Sequence, residues 1–286
     1  MDGSRVTMRD HVGLRSTDDP NRWQLELTPR VLTPAGAMHG GAALAATVEA
    51  LEGATARPLV WATAHYLTHA GPRGLLDVDV SIEVAGHQTT QARAVLHLGD
   101  VEVLLTVASL GMRGETSPGR WVQPSLAPGP GDARRLPPAP PGTESMLDHY
   151  DIRIATGRMG DELDGTRGPG RSVLWCRLPD GRRPVSAGDV AFMGDLLMLG
   201  LSDALGTPTT ANSLDNTIRI VERAPTEWVR LDVRIDATAH GYAHAGAHLW
   251  TDDGVLLGMA TQTLVVRAAG PHGQSSRSTR RIVGDA

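Results

Sequence analysis

The sequence is short of several things, and each shortage removes a class of protein. Of 286 residues only one, Cys176, is a cysteine, which excludes an intramolecular disulfide and any cysteine-cluster metal site. Lysine and arginine together number 27 against 32 aspartates and glutamates, a net charge of −5, so no basic surplus points to a nucleic-acid partner. No apolar run reaches membrane-spanning length, and no membrane insertion is expected. The opening Met1-Asp2-Gly3-Ser4-Arg5 lacks the apolar core of a secretory signal, and the expectation is a cytoplasmic protein. Aromatic side chains are scarce, with one Phe, three Tyr and six Trp, so the core must come from Ala, Val, Leu and Met. No Gly-x-Ser-x-Gly elbow occurs, and Cys176 lies in a predicted strand with no base beside it, so nothing supports a covalent nucleophile.

What remains is a globular composition, 41% hydrophobic and 21% charged. Residues 1–19 are polar and read as frayed. Trp23-Gln-Leu-Glu-Leu-Thr alternates like a strand. The loop Thr33–Gly41 leads into an Ala-rich helix from Ala42 to Leu51. Strand-like runs follow at about 59–68, 75–84, 88–97 and 101–112, with Gly99-Asp100 as a hairpin turn. Prolines crowd residues 114–147, which read as a linker. The second half then repeats the order of the first. It has a strand at 172–178, a buried helix from Ala187 to Leu205, and strands near 213–221, 228–235, 241–250 and 255–267. The tail 270–286 is rich in Gly, Ser and Arg and is expected to be disordered.

The helix 187–205 is the costliest element. Ser186 and Asp189 form a capping box, and Gly206 is placed to end it. Nearly every residue between is apolar, yet Asp195 stands on the stripe of Ala191, Phe192, Met198, Leu199 and Ser202. A carboxylate there costs several kcal/mol, by order of magnitude, unless it is satisfied. Gln262 sits on the strand face of Leu256, Gly258, Ala260, Leu264 and Val266, where its amide needs partners. Aligning the last hairpins of the two halves sets Leu110 against Gln262. A rough alignment sets Ala45 against Asp195 and Thr63 against Ser213. Costly polar groups in one copy alone point to a site.

Strand, long helix and four antiparallel strands, taken twice, describe a double hotdog of the α+β class. The chain resembles the acyl-CoA thioesterase II family. The resemblance rests on Gly40-Gly41 with Leu44-Ala-Ala, on Trp175-Cys-Arg, on the Asp195 helix, on Ser213-Leu-Asp-Asn216, and on Asp253-Gly-Val-Leu running to Gln262. The family form of the Ser213-Leu-Asp motif continues with His where this chain has Asn216. The resemblance implies an N-terminal hotdog over 20–113, a linker over 114–147, and a C-terminal hotdog over 148–269 carrying the site. It implies hydrolysis of an acyl-CoA or acyl-carrier-protein thioester by water, with Asp195, Ser213 and Gln262 catalytic. No cofactor or metal is implied. The acyl chain is expected along Met198 and Leu199, and a homo-oligomer is expected.

Other constellations weigh less. Met38-His39-Gly40-Gly41 before a helix resembles the His-Gly-Gly loop of single-domain hotdog thioesterases, where a backbone N–H polarises the thioester carbonyl, so Gly40 and Gly41 are substrate-binding candidates. Glu49 falls ten residues after His39 where that pattern has nine, and is expected to reach solvent. Asp215 reads as a turn former. His240, His244 and His248 read as part of a strand, with Tyr242, His244, His248 and Trp250 on a solvated face. Two rivals stand beside hydrolysis: a hotdog dehydratase or hydratase, for which the sequence offers no Asp–His pair, and a non-catalytic binder of acyl chains or carrier protein.

Overall fold

A computed structural model describes residues 7–114, 117, 119–138, 140–268 and 282–283. The ten principal strands are β1 (Arg22–Glu26), β2 (Leu59–Tyr66), β3 (Leu75–Ala85), β4 (Thr89–Leu98), β5 (Val101–Gly111), β6 (Arg171–Arg177), β7 (Thr209–Ile220), β8 (Trp228–Ala239), β9 (Tyr242–Thr251) and β10 (Leu256–Ala268). They lie in one antiparallel sheet in the order β1-β3-β4-β5-β2-β7-β10-β9-β8-β6. Short strands extend it, Arg15–Ser16 outside β1, and Ile152–Thr156 and Arg134–Arg135 outside β6. The order reads the same from either edge towards the middle, where β2 pairs with β7 and Thr63 faces Thr217. The two halves therefore join edge to edge, and neither β2 nor β7 is left as an open edge.

The helices lie against one another on the sheet. α1 (Met8–Val12) precedes the first half, and α2 (Gly40–Thr55) packs on α3 (Ala187–Met193). α2 is buried almost all round, from Gly41 to Val48 and again at Ala50 and Leu51. Alanine makes that possible, because small side chains let backbone approach backbone. The second long helix expected over 187–205 is not continuous. It stops at Met193, passes through a 3₁₀ turn at Leu196–Gly200, and resumes as α4 (Leu201–Leu205). At the break, the Asn216 side chain donates to the Gly194 carbonyl at 3.1 Å, occupying an acceptor that helical turns use. Asp195 bonds back only to Phe192 O, at 3.4 Å.

Three further expectations need correction. Residues 7–16 are not frayed. α1 carries a Thr7–Asp10 capping box, and Met8 and Val12 are buried, because the arm fills a groove beside α2 and α3. The proline-rich stretch is not a free spacer either. Ser125 N donates to Asp232 at 2.8 Å, Trp175 Nε1 to Pro128 O at 3.0 Å and Arg153 to Pro130 O at 2.7 Å. It straps the outer face of the second half, with Arg120 over the Trp250 ring. Trp250 is accordingly fully buried while Tyr242 and His244 are exposed, so the face expected to be solvated is only partly so. The tail 270–286 lies outside the described residues except for Ile282-Val283, which pair with His69-Ala70.

Candidate active site

Asp195 sits where the helix breaks, and it is 4% exposed. Its Oδ1 accepts from Ser213 Oγ at 3.1 Å and from Gln262 Nε2 at 2.5 Å. Gln262 Nε2 also lies 2.6 Å from Ser213 Oγ. The three residues expected from the sequence thus meet. Ser213 lies within β7 rather than at its start, at an irregularity in the β7–β10 ladder between Ser213 and Asp215. Asp215 bridges that irregularity by accepting from Thr263 N at 2.8 Å, in keeping with its reading as a former of local structure.

The other carboxylate oxygen turns to the first half. Asp195 Oδ2 accepts from Gly41 N at 2.8 Å, within the first turn of α2, where the helix presents unpaired N–H groups and a partial positive charge. His39 Nε2 lies 3.3 Å from the same oxygen. The glycines are needed for this approach. A Cβ on Gly40 would stand 2.8 Å from Asp195 Oδ2, and one on Gly41 would stand 2.3 Å from Phe192 O. Tyr66, on β2, donates to Gly40 O at 3.1 Å and fixes the loop from beneath. Burial, and next the Asp195 charge, hold the Tyr66 hydroxyl well above its usual range, so it stays a neutral donor. Burial lowers the pKa of His39 against an opposing pull from Asp195, which favours the neutral imidazole.

Sequence reasoning missed the His39–Asp195 pair and Tyr66. His39 was visible within its motif but not its partner, which lies in the other half of the chain. Tyr66 ends an alternating run that reads as ordinary core strand. The absence of an Asp–His pair, inferred from the sequence, is therefore corrected. Met198 and Leu199 sit half-buried in the 3₁₀ turn, packed on the core. Glu49 does not simply reach solvent. It is half-buried against Ser186, whose Oγ donates to it at 3.2 Å. Cys176 is fully buried, and burial raises its thiol far above the usual range, leaving it protonated and inert. His244 and His248 lie on β9, and His240 occupies the preceding turn with φ +52°.

The ladder registers also correct the internal alignment. Thr63 faces Thr217 across the middle of the sheet, and in the neighbouring ladders Thr63 faces Val107 while Thr217 faces Thr261. Counting from there, the first-half counterparts of Ser213 and Gln262 are Leu59 and Ala108, not Thr63 and Leu110. Both are apolar, and the trio belongs to one half alone.

The family model of the acyl-CoA thioesterase C-terminal domain matches residues 130–266. No curated protein matches the chain. Among solved structures, one named as a thioesterase from Novosphingobium aromaticivorans shares 29% identity, with 89% of this chain and 98% of that one covered and a TM-score of 0.78. A protein of Alicyclobacillus acidocaldarius described as having the hot dog fold shares 18% identity over 91% of this chain and 98% of its own, at a TM-score of 0.76. The acyl-CoA thioesterase II TesB2 of Mycobacterium marinum shares 16% over 94% and 100%, at 0.69. The large antiparallel sheet is that of the hotdog fold.

Proposed function

We propose, from a chain whose residues 130–266 belong to the acyl-CoA thioesterase C-terminal domain family, that the protein is a double-hotdog hydrolase of acyl thioesters carried on CoA or an acyl-carrier protein. One observation carries the reading. A single buried carboxylate is shared between the Ser213–Gln262 pair of the second half and a helix N-terminal amide of the first.

That sharing suggests how the groups act. With Ser213 and Gln262 on Oδ1 and the Gly41 N–H on Oδ2, both oxygens of the carboxylate are already occupied by donors. A thioester carbonyl that takes the Gly41 N–H displaces Asp195 Oδ2 from it. The carbonyl is then polarised by a backbone donor at a helix N-terminus, and Oδ2 is freed to accept a proton from water. Ser213 and Gln262 keep hold of Oδ1 and so fix the carboxylate. Water adds to the carbonyl carbon as Asp195 takes its proton. The tetrahedral intermediate then expels the thiolate, which recovers the proton from Asp195, giving acid and thiol. Substrate binding thus switches on the base. Met198 and Leu199 would line the acyl chain.

The His39–Asp195 contact favours a second reading, dehydration of a 3-hydroxyacyl thioester, with His39 removing the α-proton and Asp195 protonating the departing hydroxyl. One assay separates them. A panel of acyl-CoA thioesters is followed by free-thiol release, beside 3-hydroxyacyl-CoA followed by enoyl absorbance. Thiol release lost in Asp195→Asn supports hydrolysis. Enoyl formation without thiol release overturns it. A silent panel with tight acyl-CoA binding would make the protein a binder. A cytoplasmic location and homo-oligomeric assembly complete the proposal, and light scattering tests the latter.

A further inference from the structure

The contact between Asp195 and the start of α2 has a reciprocal. Where Asp195 of the second half meets Gly40 and Gly41 of the first, Glu49 of the first half meets the start of α3 in the second. Ser186 Oγ donates to Glu49 Oε1 at 3.2 Å, and a Cβ on Gly188 would lie 2.3 Å from that oxygen. In each case a glycine in the first turn of one helix makes room for a carboxylate from the other. The sheet is symmetric about the β2–β7 ladder, so these are the two equivalent places in the fold.

They differ in what surrounds the carboxylate. Asp195 is saturated by Ser213, Gln262 and Gly41. Glu49 has the single bond to Ser186 among the described residues, and it lines an open cavity of about 610 Å³ along the N-terminal arm. The arm contributes Arg9, Leu14, Arg15 and Ser16. Arg9 is held against the Trp23 ring at 4.4 Å. Arg15 has no ionic partner among the described residues. Asp10 also borders the cavity, but its carboxylate is engaged by Thr7 N and Oγ1, at 2.9 and 2.7 Å. Guanidinium groups at the rim suit a phosphate. A carboxyl at the base suits a carbonyl when protonated or an amide N–H when ionised. Burial, then Glu52 and Asp189, raise Glu49 to about 7, so both forms are accessible near neutrality.

We infer that this open cavity at Glu49 is a second binding site, taking the phosphopantetheine arm of a thioester with its phosphate at Arg9 and Arg15 and its amide or carbonyl at Glu49. The inference rests on the thioester reading above for its ligand class, though not on the chemistry at Asp195. Its probe is a non-hydrolysable S-alkyl-CoA thioether, titrated calorimetrically into the full-length protein. Two sites per chain are expected. Arg15→Glu, an exposed change that leaves the core untouched, should weaken one of them at least ~10-fold, and the isosteric Glu49→Gln should weaken the same one, while the other keeps its affinity. A single site indifferent to both substitutions overturns the second site and leaves the Asp195 reading standing. No binding, together with no turnover on the thioester panel, removes both.

Discussion

At the scale of single residues, the polar groups that the sequence marks as expensive are the ones that meet. Asp195→Asn keeps the shape and removes the proton acceptor, so turnover should fall ~10²–10⁴-fold with little change in binding, read as kcat against KM. Gln262→Ala frees Oδ1 from its shortest partner, and a loss of about 10–10²-fold in turnover is expected from misplacement, with Tm lowered because a buried carboxylate loses a donor and a cavity is left. Two other residues give pH signatures of opposite sign. Glu49 is raised from 4.5 to about 7 by burial, Glu52 and Asp189. Unfolded chains therefore release its proton first, and stability is lost as pH climbs through that window. His11 is lowered from 6.5 to about 4, chiefly by burial and then by Arg30, so stability is lost as pH falls through its window. The Tm of Glu49→Gln relative to the parent should rise between about pH 5 and about pH 8. A flat difference would mean that Glu49 is solvated. Asp195 and Gln262 were legible because each is a polar group in an apolar pattern, whereas Ser213 stands in a polar run and was marked only by the family resemblance. His39 and Tyr66 were not, because what makes them significant is a neighbour in the other half of the chain.

At the scale of elements, boundaries were legible wherever the two-residue period was clean, as in β3, β4 and β9. The helix break was not, because it is imposed from outside the helix. Nothing in Phe192-Met-Gly-Asp-Leu-Leu breaks a helix as proline would. The break comes from Asn216 on the Gly194 carbonyl and from four groups drawing the Asp195 carboxylate aside. Gly194 has β10 close behind it, with Ala260 Cβ 3.0 Å from where its own Cβ would stand. Gly194→Ala should therefore push the break off the sheet and lower kcat about 10–10²-fold, with helical circular dichroism retained. An unaffected kcat would show that the break does not set the carboxylate. The misplacement of Leu110 against Gln262 has an equally local cause. The β4–β5 connection is the two residues Gly99-Asp100, whereas β9 and β10 are separated by Asp252–Val255. Superposing turn on turn slides the strands by two residues. A slip of two keeps every side chain on its face, so the hydrophobic pattern raised no objection.

At the scale of the whole molecule, the seam between β2 and β7 joins two half-sheets into one, and α2 and α3 pack across it. Residues 150–286 alone would expose β7 as an open edge and strip Asp195 of Gly41 and His39. That fragment should aggregate or self-pair rather than unfold as a cooperative monomer, as gel filtration and denaturant titration would show. The buried Arg183–Asp189 pair anchors the start of α3 from within the second half, and Arg183→Met should cost ~3–5 kcal/mol by leaving Asp189 buried without its partner, measured by chemical denaturation. The strand order carries a consequence for synthesis. β10 lies between β7 and β9, yet leaves the ribosome after both. The ladders that β7 and β9 share with β10 can form only once that strand has been synthesised, and Gln262 arrives with it. A chain caught short of that moment can own Asp195, Ser213 and the whole first half and still be inert. The Asp195–Ser213–Gln262 trio is the last part of the candidate site to be completed in synthesis, and a stalled or clipped product should fail in thioesterase assays before it fails in secondary structure by circular dichroism.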